Sequence, residues 1–263
     1  MSATSLSGQY KWEIGPFLGL SNYMGDLVPV PFSIINTKPA LGALVRYNYS
    51  GHISLRGAVS YGQLIGDDKN SSDRYRYRRN LSFKSNILDL GLLIEASLLK
   101  FNMDRRGHRL TPYVLAGISA FHFNPKAFYA GQWHELQPLG TEGQGIPGYL
   151  QVAPYALWQM SIPFGGGLKF NLSRNWNICL ESRWHKTFTD YLDDVSSTYP
   201  DPDLIRQHRG AVAAALSNRT PEVVPFAGPS TGLNRGNDQQ KDMFIFTGFS
   251  LTYIIRKSDC YRY

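Results

Sequence analysis

The sequence predicts an all-β fold: an eight-stranded antiparallel transmembrane β-barrel with four long external loops and three short periplasmic turns. Three observations predict it. Apolar and polar residues alternate with period two through about eight segments and almost never at 3.6. The face opposite the apolar one is small and ionic. Long and short connections alternate along the chain. Composition agrees, since 43% of the 263 residues are apolar, 13% aromatic and only 18% charged, which excludes a disordered chain and a charged helical array. No apolar run approaches the ~18 residues of a membrane helix, so a crossing must be made by strands.

The first segment sets Tyr10, Trp12, Ile14, Pro16, Leu18 and Leu20 against Lys11, Glu13, Gly15, Gly19 and Ser21. The second sets Leu41, Ala43, Val45 and Tyr47 against Gly42, Arg46 and Asn48, and the third Ile53, Leu55, Val59 and Tyr61 against Ser54, Arg56, Ser60 and Gly62. Leu88 to Leu98 alternates with Asp89, Gly91, Glu95 and Ser97, and Val114 to Ala120 with Tyr113, Gly117 and Ser119. The sixth opposes Met160, Ile162, Phe164, Leu168 and Phe170 to Ser161, Gly165, Gly167 and Lys169. The last two oppose Trp176, Ile178, Leu180 and Trp184 to Asn177, Glu181, Arg183 and His185, and Ile245, Phe249, Leu251 and Tyr253 to Gly248, Ser250 and Thr252.

The minor face decides between a soluble and a membrane barrel. It carries Lys11, Glu13, Arg46, Arg56, Asp89, Glu95, Lys169, Glu181 and Arg183 among many Gly and Ser, which suits a narrow lumen crossed by ion pairs. Rings at the ends of the apolar stripe, among them Tyr10, Trp12, Tyr61, Trp176 and Trp184, suit the two membrane interfaces. The short turns fall near 50–52, 102–109 and 171–175, and the long loops near 22–39, 63–84, 122–157 and 188–241. That asymmetry places both termini in the periplasm of a Gram-negative bacterium. Residues 1–9 read as an N-terminal extension, 10–255 as one barrel and 256–263 as a periplasmic tail. The first eight residues lack the basic start and apolar core of a signal peptide, so export implies one that has been removed or replaced.

Several long words then carry a resemblance: Gly19-Leu-Ser-Asn-Tyr-Met-Gly-Asp26, Leu81-Ser-Phe-Lys-Ser-Asn86, Phe121-His-Phe-Asn-Pro-Lys-Ala127, the run Gly131 to Gly145, Lys186-Thr-Phe-Thr-Asp-Tyr-Leu-Asp-Asp-Val-Ser196 and Arg235-Gly-Asn-Asp-Gln-Gln-Lys-Asp242. In these the chain resembles the PorG family, small OmpA-like outer-membrane barrels of the type IX secretion system that also serve gliding motility. The resemblance implies a non-enzymatic role that ties the periplasmic PorK lipoprotein and PorN ring to the outer membrane. It brings no catalytic residue and no cofactor.

The remaining candidates each have a plain structural reading. His122, His134, Glu135 and Glu142 share a loop without zinc spacing, and a loop folded over the barrel mouth explains them. Asp190, Asp193 and Asp194 offer oxygen donors for calcium but lack the central Gly and distal Glu of a calcium loop. His185 near Asp190 is the one acid/base pair that a lipid-modifying enzyme would use. Asp73-Arg-Tyr-Arg-Tyr-Arg-Arg-Asn80 interleaves cations and rings, which suits single-stranded nucleic acid on a soluble domain. On an external loop it suits lipopolysaccharide phosphates, or a strand continuing above the membrane with Tyr75 and Tyr77 on one face. Asp201-Pro202-Asp203 opens an amphipathic helix that Gly210 weakens.

Of 27 Lys and Arg against 20 Asp and Glu, net +7, part falls on the periplasmic side. There His52, Asp104, Arg105, Arg106, His108, Arg174 and Asn175, with Arg256, Lys257 and Cys260 of the tail, are the expected partner-binding residues, and lipid and lipopolysaccharide are expected around the barrel. Two cysteines, Cys179 and Cys260, exclude a disulfide framework. The reading leaves open an intermolecular disulfide from Cys260, a free thiol, and a link through Cys179. A pore or small-molecule transporter is the competing function, and filled lumens of eight-stranded barrels speak against it.

Overall fold

The computed structural model describes residues 12–100, 109–147, 149, 153–228 and 230–255. Eight long strands form its wall: β1 (Trp12–Met24), β2 (Lys38–Asn48), β3 (Ile53–Asp67), β4 (Ser82–Ser97), β5 (Leu110–Tyr129), β7 (Trp158–Ser173), β8 (Trp176–Thr187) and β9 (Met243–Ile255). A short β6 (Gln132–Glu135) folds back on β5. Each wall strand pairs antiparallel with its neighbours in sequence, and β9 pairs with β1 from Trp12↔Ile255 to Met24↔Met243, so the sheet closes. Closure leaves the wall without an edge, the condition for strands to cross hydrocarbon.

Outward residues form an apolar belt. Leu18, Leu41, Leu92, Ile94, Ile118, Met160 and Phe249 are each half or more exposed, as only lipid-facing side chains of this size should be. Rings bound the belt on both sides. Trp12 packs on Tyr47 at 4.9 Å and Trp176 on Tyr253 at 5.2 Å toward the short turns, while His122 and Trp158 meet at 5.3 Å toward the long loops. Glycines let neighbouring strands approach at the seam: a Cβ on Gly248 would lie 2.4 Å from the Leu18 carbonyl oxygen.

Three strands run further than the apolar stripe suggests. β3 continues through Asp67, β4 begins at Ser82 and β5 extends to Tyr129, where the sequence places loops at 63–84 and 122–157. The alternation persists there with polar residues outward, Gln63, Lys84, Asn86, Asn124 and Lys126. Gln63 donates to Asn86 at 2.9 Å, and Asn124 and Lys126 reach Glu135 at 3.0 and 2.8 Å. One side of the barrel is thus a sheet that stands above the membrane.

The segment 73–80 continues no strand. It forms α1 (Arg74–Arg79), because Asp73 accepts hydrogen bonds from the Tyr75 and Arg76 amides and Asn80 ends the turn in the left-handed region, φ 59°. The helix expected after Asp201 divides into α2 (Pro202–Arg209) and α3 (Ala211–Ser217) at Gly210, φ 90°.

Candidate functional site

Two polar assemblies fill the barrel. The lower one is the lumen network near the short turns. Glu13 and Arg46 are cross-strand partners, as are Arg46 and Arg56. Two like charges side by side would repel, and Glu95 resolves this from β4. It receives Arg46 through two contacts, 2.7 and 3.1 Å, and Arg56 at 2.9 Å. Arg46 also reaches Glu13 at 2.6 Å, and Arg56 holds both oxygens of Glu181 at 2.6 Å. Lys169 lies 3.3 Å from Glu95, and the Tyr113 hydroxyl donates to Glu181 at 2.7 Å. All these side chains are buried. Three carboxylates therefore meet three cations inside the lumen, all of them buried. Desolvating so many charges makes such a network a weak source of net stability, but its broken form is costly.

Above this network lie Asp89, Arg183, His185, Ser60, Ser119 and Ser161. Arg183 donates to Ser60 at 2.6 Å and faces the rings of Phe17 and Phe246 at 5.9 and 5.6 Å. His185 does not pair with Asp190. Strand parity turns it into the lumen, where Nδ1 lies 3.5 Å from Asp89, 3.3 Å from Ser119 and 3.2 Å from Ser161. A serine nucleophile relay needs acid and hydroxyl on opposite ring nitrogens. Here all three crowd Nδ1, and the ring stacks on Phe244 at 4.2 Å. The cluster is buried beneath the cap.

Toward the long loops the inward face turns aromatic. Phe83, Phe121, Phe123, Phe244 and Phe246 join Leu27, Val28, Leu136, Tyr155, Leu192, Val195 and Leu216 from the loops in one core that seals the mouth. Sequence reading assigned the inward face to polar groups throughout and missed this upper plug. The signal was present in the pairs Phe121/Phe123 and Phe244/Phe246, two residues apart on the lumen parity.

The upper polar assembly lies in this cap, and the long sequence words supply it. Arg235 binds Glu142 at 2.8 Å and the carbonyls of Asp194 and Ser217 at 2.5 and 3.0 Å. Arg79 binds Asp68 through two contacts, 2.7 and 2.8 Å, and the Arg235 carbonyl at 2.6 Å. Glu142 accepts from the amides of Ser196 and Ser197. Tyr23 donates to Asp193 at 2.5 Å, with Asp242 at 3.1 Å. Asp26 accepts from the Asn237 amide at 3.1 Å.

Carboxylates outnumber cations here, and burial pushes their pKa values up. Asp190 rises to about 7 and Asp194 to about 6, the latter despite Arg235, while Asp193 and Asp242 rise well above the usual carboxylate range.

The calcium candidate does not assemble. Asp193 is spent on Tyr23, and Asp194 on Thr141, Tyr155 and Arg235, at 2.5, 2.7 and 3.9 Å. Among the described residues no three His, Cys, Asp or Glu converge as a metal site. The loop group His122, His134, Glu135 and Glu142 is likewise dispersed. His122 packs outside on Trp158, His134 contacts the Tyr129 carbonyl, Glu135 pairs with Lys126 and Glu142 enters the cap.

Of the residues expected on the periplasmic side, His52 contacts the Ser97 carbonyl at 3.0 Å and Asn175 donates to the Tyr253 hydroxyl at 3.2 Å. Arg174 lies in the β7–β8 turn. Tyr10, Lys11, Asp104, Arg105, Arg106, His108, Arg256, Lys257 and Cys260 lie outside the described residues. Cys179 is buried in the lumen, its Sγ 3.9 Å from Arg46, so a partner thiol has no route to it and the expected alternative of a Cys179 link fails.

The family described as Domain of unknown function (DUF6089) matches residues 1–138. No curated protein matches the sequence. Similar solved structures include the N-terminal β-barrel domain of Pseudomonas aeruginosa OprF, at 13% identity, TM-score 0.38, covering 94% of this chain and 98% of that one. Neisserial surface protein A (NspA) is similar at 7% identity, TM-score 0.43, covering 94% and 98%. The Yersinia pestis attachment invasion locus protein Ail is similar at 11% identity, TM-score 0.42, covering 92% and 97%.

Proposed function

The chain belongs to the DUF6089 family, and on that footing we propose that it is a non-enzymatic outer-membrane barrel that anchors the periplasmic PorK lipoprotein and PorN ring of a type IX secretion system, supporting secretion and gliding. The observation that carries this reading is the lumen, filled by the Glu13–Arg46–Glu95–Arg56–Glu181 chain and plugged above by aromatic side chains. A barrel whose lumen is filled in this way presents its surfaces for binding. The resemblance of the sequence words to PorG barrels supports the link to that machinery.

In this role lipid holds the wall, the long loops face outward and both termini face the periplasm. The short-turn rim then presents His52, Asp104, Arg105, Arg106, His108, Arg174 and Asn175, and the tail presents Arg256, Lys257 and Cys260. Cationic groups there steer and orient an acidic partner more than they set raw affinity. Cys260 is the residue we assign to an intermolecular disulfide. Crosslinking from a photoreactive residue at position 52 or 175 in intact cells should capture the ring lipoprotein. Capture of no periplasmic ring component, or protease cleavage of the short turns from outside the cell, would overturn the role. Non-reducing electrophoresis of wild type and Cys260→Ser tests the disulfide. The transporter reading predicts unit conductance in planar bilayers, and the sealed lumen predicts none.

A further inference from the structure

The raised wall and the first long loop enclose a groove on the outside of the barrel, about 400 Å³ in volume. Its lining is mixed. Ile35, Ile65, Phe128 and Trp133 supply apolar surface, and Lys38 and Lys84 supply positive charge. Ile35, Phe128 and Trp133 are 65%, 48% and 48% exposed, and the neighbouring Ile34 is 95% exposed. The loop that carries the two isoleucines is fixed: the Asn36 amide bonds the Ser33 carbonyl at 3.0 Å and Asn22 bonds Thr37 at 2.6 Å. Its Phe32 packs edge-on against Trp184 of β8 at 5.7 Å, so the loop lies along the barrel's outer surface at the upper ring belt.

Height decides what such a groove meets. Tyr61, Leu88 and His122 form one cross-strand row, and Ile65, Lys84 and Lys126 form another four residues higher. Four residues are about 13 Å along a strand, or about 10 Å along the normal at a tilt near 40°. That puts Lys84 in the headgroup layer, one polar row, Gln63, Asn86 and Asn124, above the lipid-facing stripe. Lys84 is held with its ammonium 3.7 Å from the Trp133 ring centre. Glu135 is occupied by Lys126 and Asn124, and Asp67 at the upper end caps the Lys69 amide.

We propose that this groove holds one phosphorylated lipid of the outer leaflet, its phosphate on Lys38 and Lys84 and the start of an acyl chain against Ile35 and Ile65. The proposal requires the long loops to face the outer leaflet, as in the role above, but nothing of the periplasmic docking.

The test uses the folded full chain in phosphatidylcholine nanodiscs, with diphosphoryl lipid A as probe and bound lipid counted by native mass spectrometry. One lipid A per barrel is expected. The double variant Lys38→Gln/Lys84→Gln and, separately, Ile35→Asp should each weaken retention about tenfold, while Lys126→Gln, whose cation is already neutralised, should not. Equal retention of fully dephosphorylated lipid A, displacement by millimolar inorganic phosphate, or indifference to both variants in a barrel with wild-type circular dichroism would overturn the site. Binding in nanodiscs does not depend on orientation in the cell or on any ring protein, so a negative result here leaves the docking role standing, and the reverse.

Discussion

The barrel contains two buried ionic assemblies, and they are built on opposite principles. In the lumen, Glu13, Glu95 and Glu181 are matched by Arg46, Arg56 and Lys169, with both arginines using several nitrogens. In the cap, Asp26, Glu142, Asp190, Asp193, Asp194 and Asp242 face mainly Arg79 and Arg235, and phenols of Tyr23 and Tyr155 fill the remaining acceptor sites. The balanced assembly is joined to strands on every side. The unbalanced one joins loops to one another. The difference separates a part that must keep one geometry from a part whose stability depends on its protonation.

Removing one partner from the lumen should have the largest effect. Glu95→Ala leaves Arg46 and Arg56 facing each other in a dry interior, and an unfolding free energy about 3–5 kcal/mol lower is expected by denaturant titration in lipid. Arg235→Ala in the cap should instead leave the denaturant midpoint of the wall unchanged and expose residues 188–242 to protease. Equal effects at both sites would erase the distinction. Next, Leu92→Arg on the lipid face should cost about 2–4 kcal/mol. The same measurement then separates wall insertion from lumen pairing.

The pH dependence should belong to the cap. Burial raises the folded pKa values of Asp190 and Asp194 from the usual aspartate value of 3.8 to about 7 and about 6, so the folded cap binds more protons than its unfolded state. Its stability is greatest below about pH 4 and falls as pH rises through 6 to 7. Protection factors of the 188–242 loop, corrected for the intrinsic base catalysis of exchange, should therefore be higher at pH 5 than at pH 8, and Asp190→Asn should flatten that difference. The smallest effect is local. Asp201→Ala removes the side chain that accepts from the Asp203 amide at 2.9 Å and should loosen α2 by about 1 kcal/mol, read as faster exchange confined to that helix.

The wall was legible because each strand must satisfy lipid on one side and a narrow lumen on the other, which imposes alternation on residues such as Ile14/Glu13 and Leu180/Glu181. Above the membrane that requirement lapses. β3 to β5 carry Gln63, Lys84 and Asn124 outward, so the apolar stripe stops while the strands continue, and a reader of the stripe stops with it. The 73–80 segment misleads in the other direction, since Arg and Tyr alternate with strand period but Asp73 supplies the cap that starts a helix. The cap itself was out of reach. Tyr23 meets Asp193, and Arg79 meets the Arg235 carbonyl, across more than 150 residues, and no local pattern encodes such meetings.

The seam between β1 and β9 has a consequence for how the molecule comes into being. Its two strands are the first and last of the wall, so β1 can complete its pairing only after nearly the whole chain exists. Until then both flanks are open edges, liable to join other chains, and an ordering step of such long range is slow. A newly made chain therefore has an interval in which those open edges need shielding. Cys179 marks the end of that interval: accessible to a thiol reagent while the sheet is open, it becomes inert when the ring of strands shuts around it.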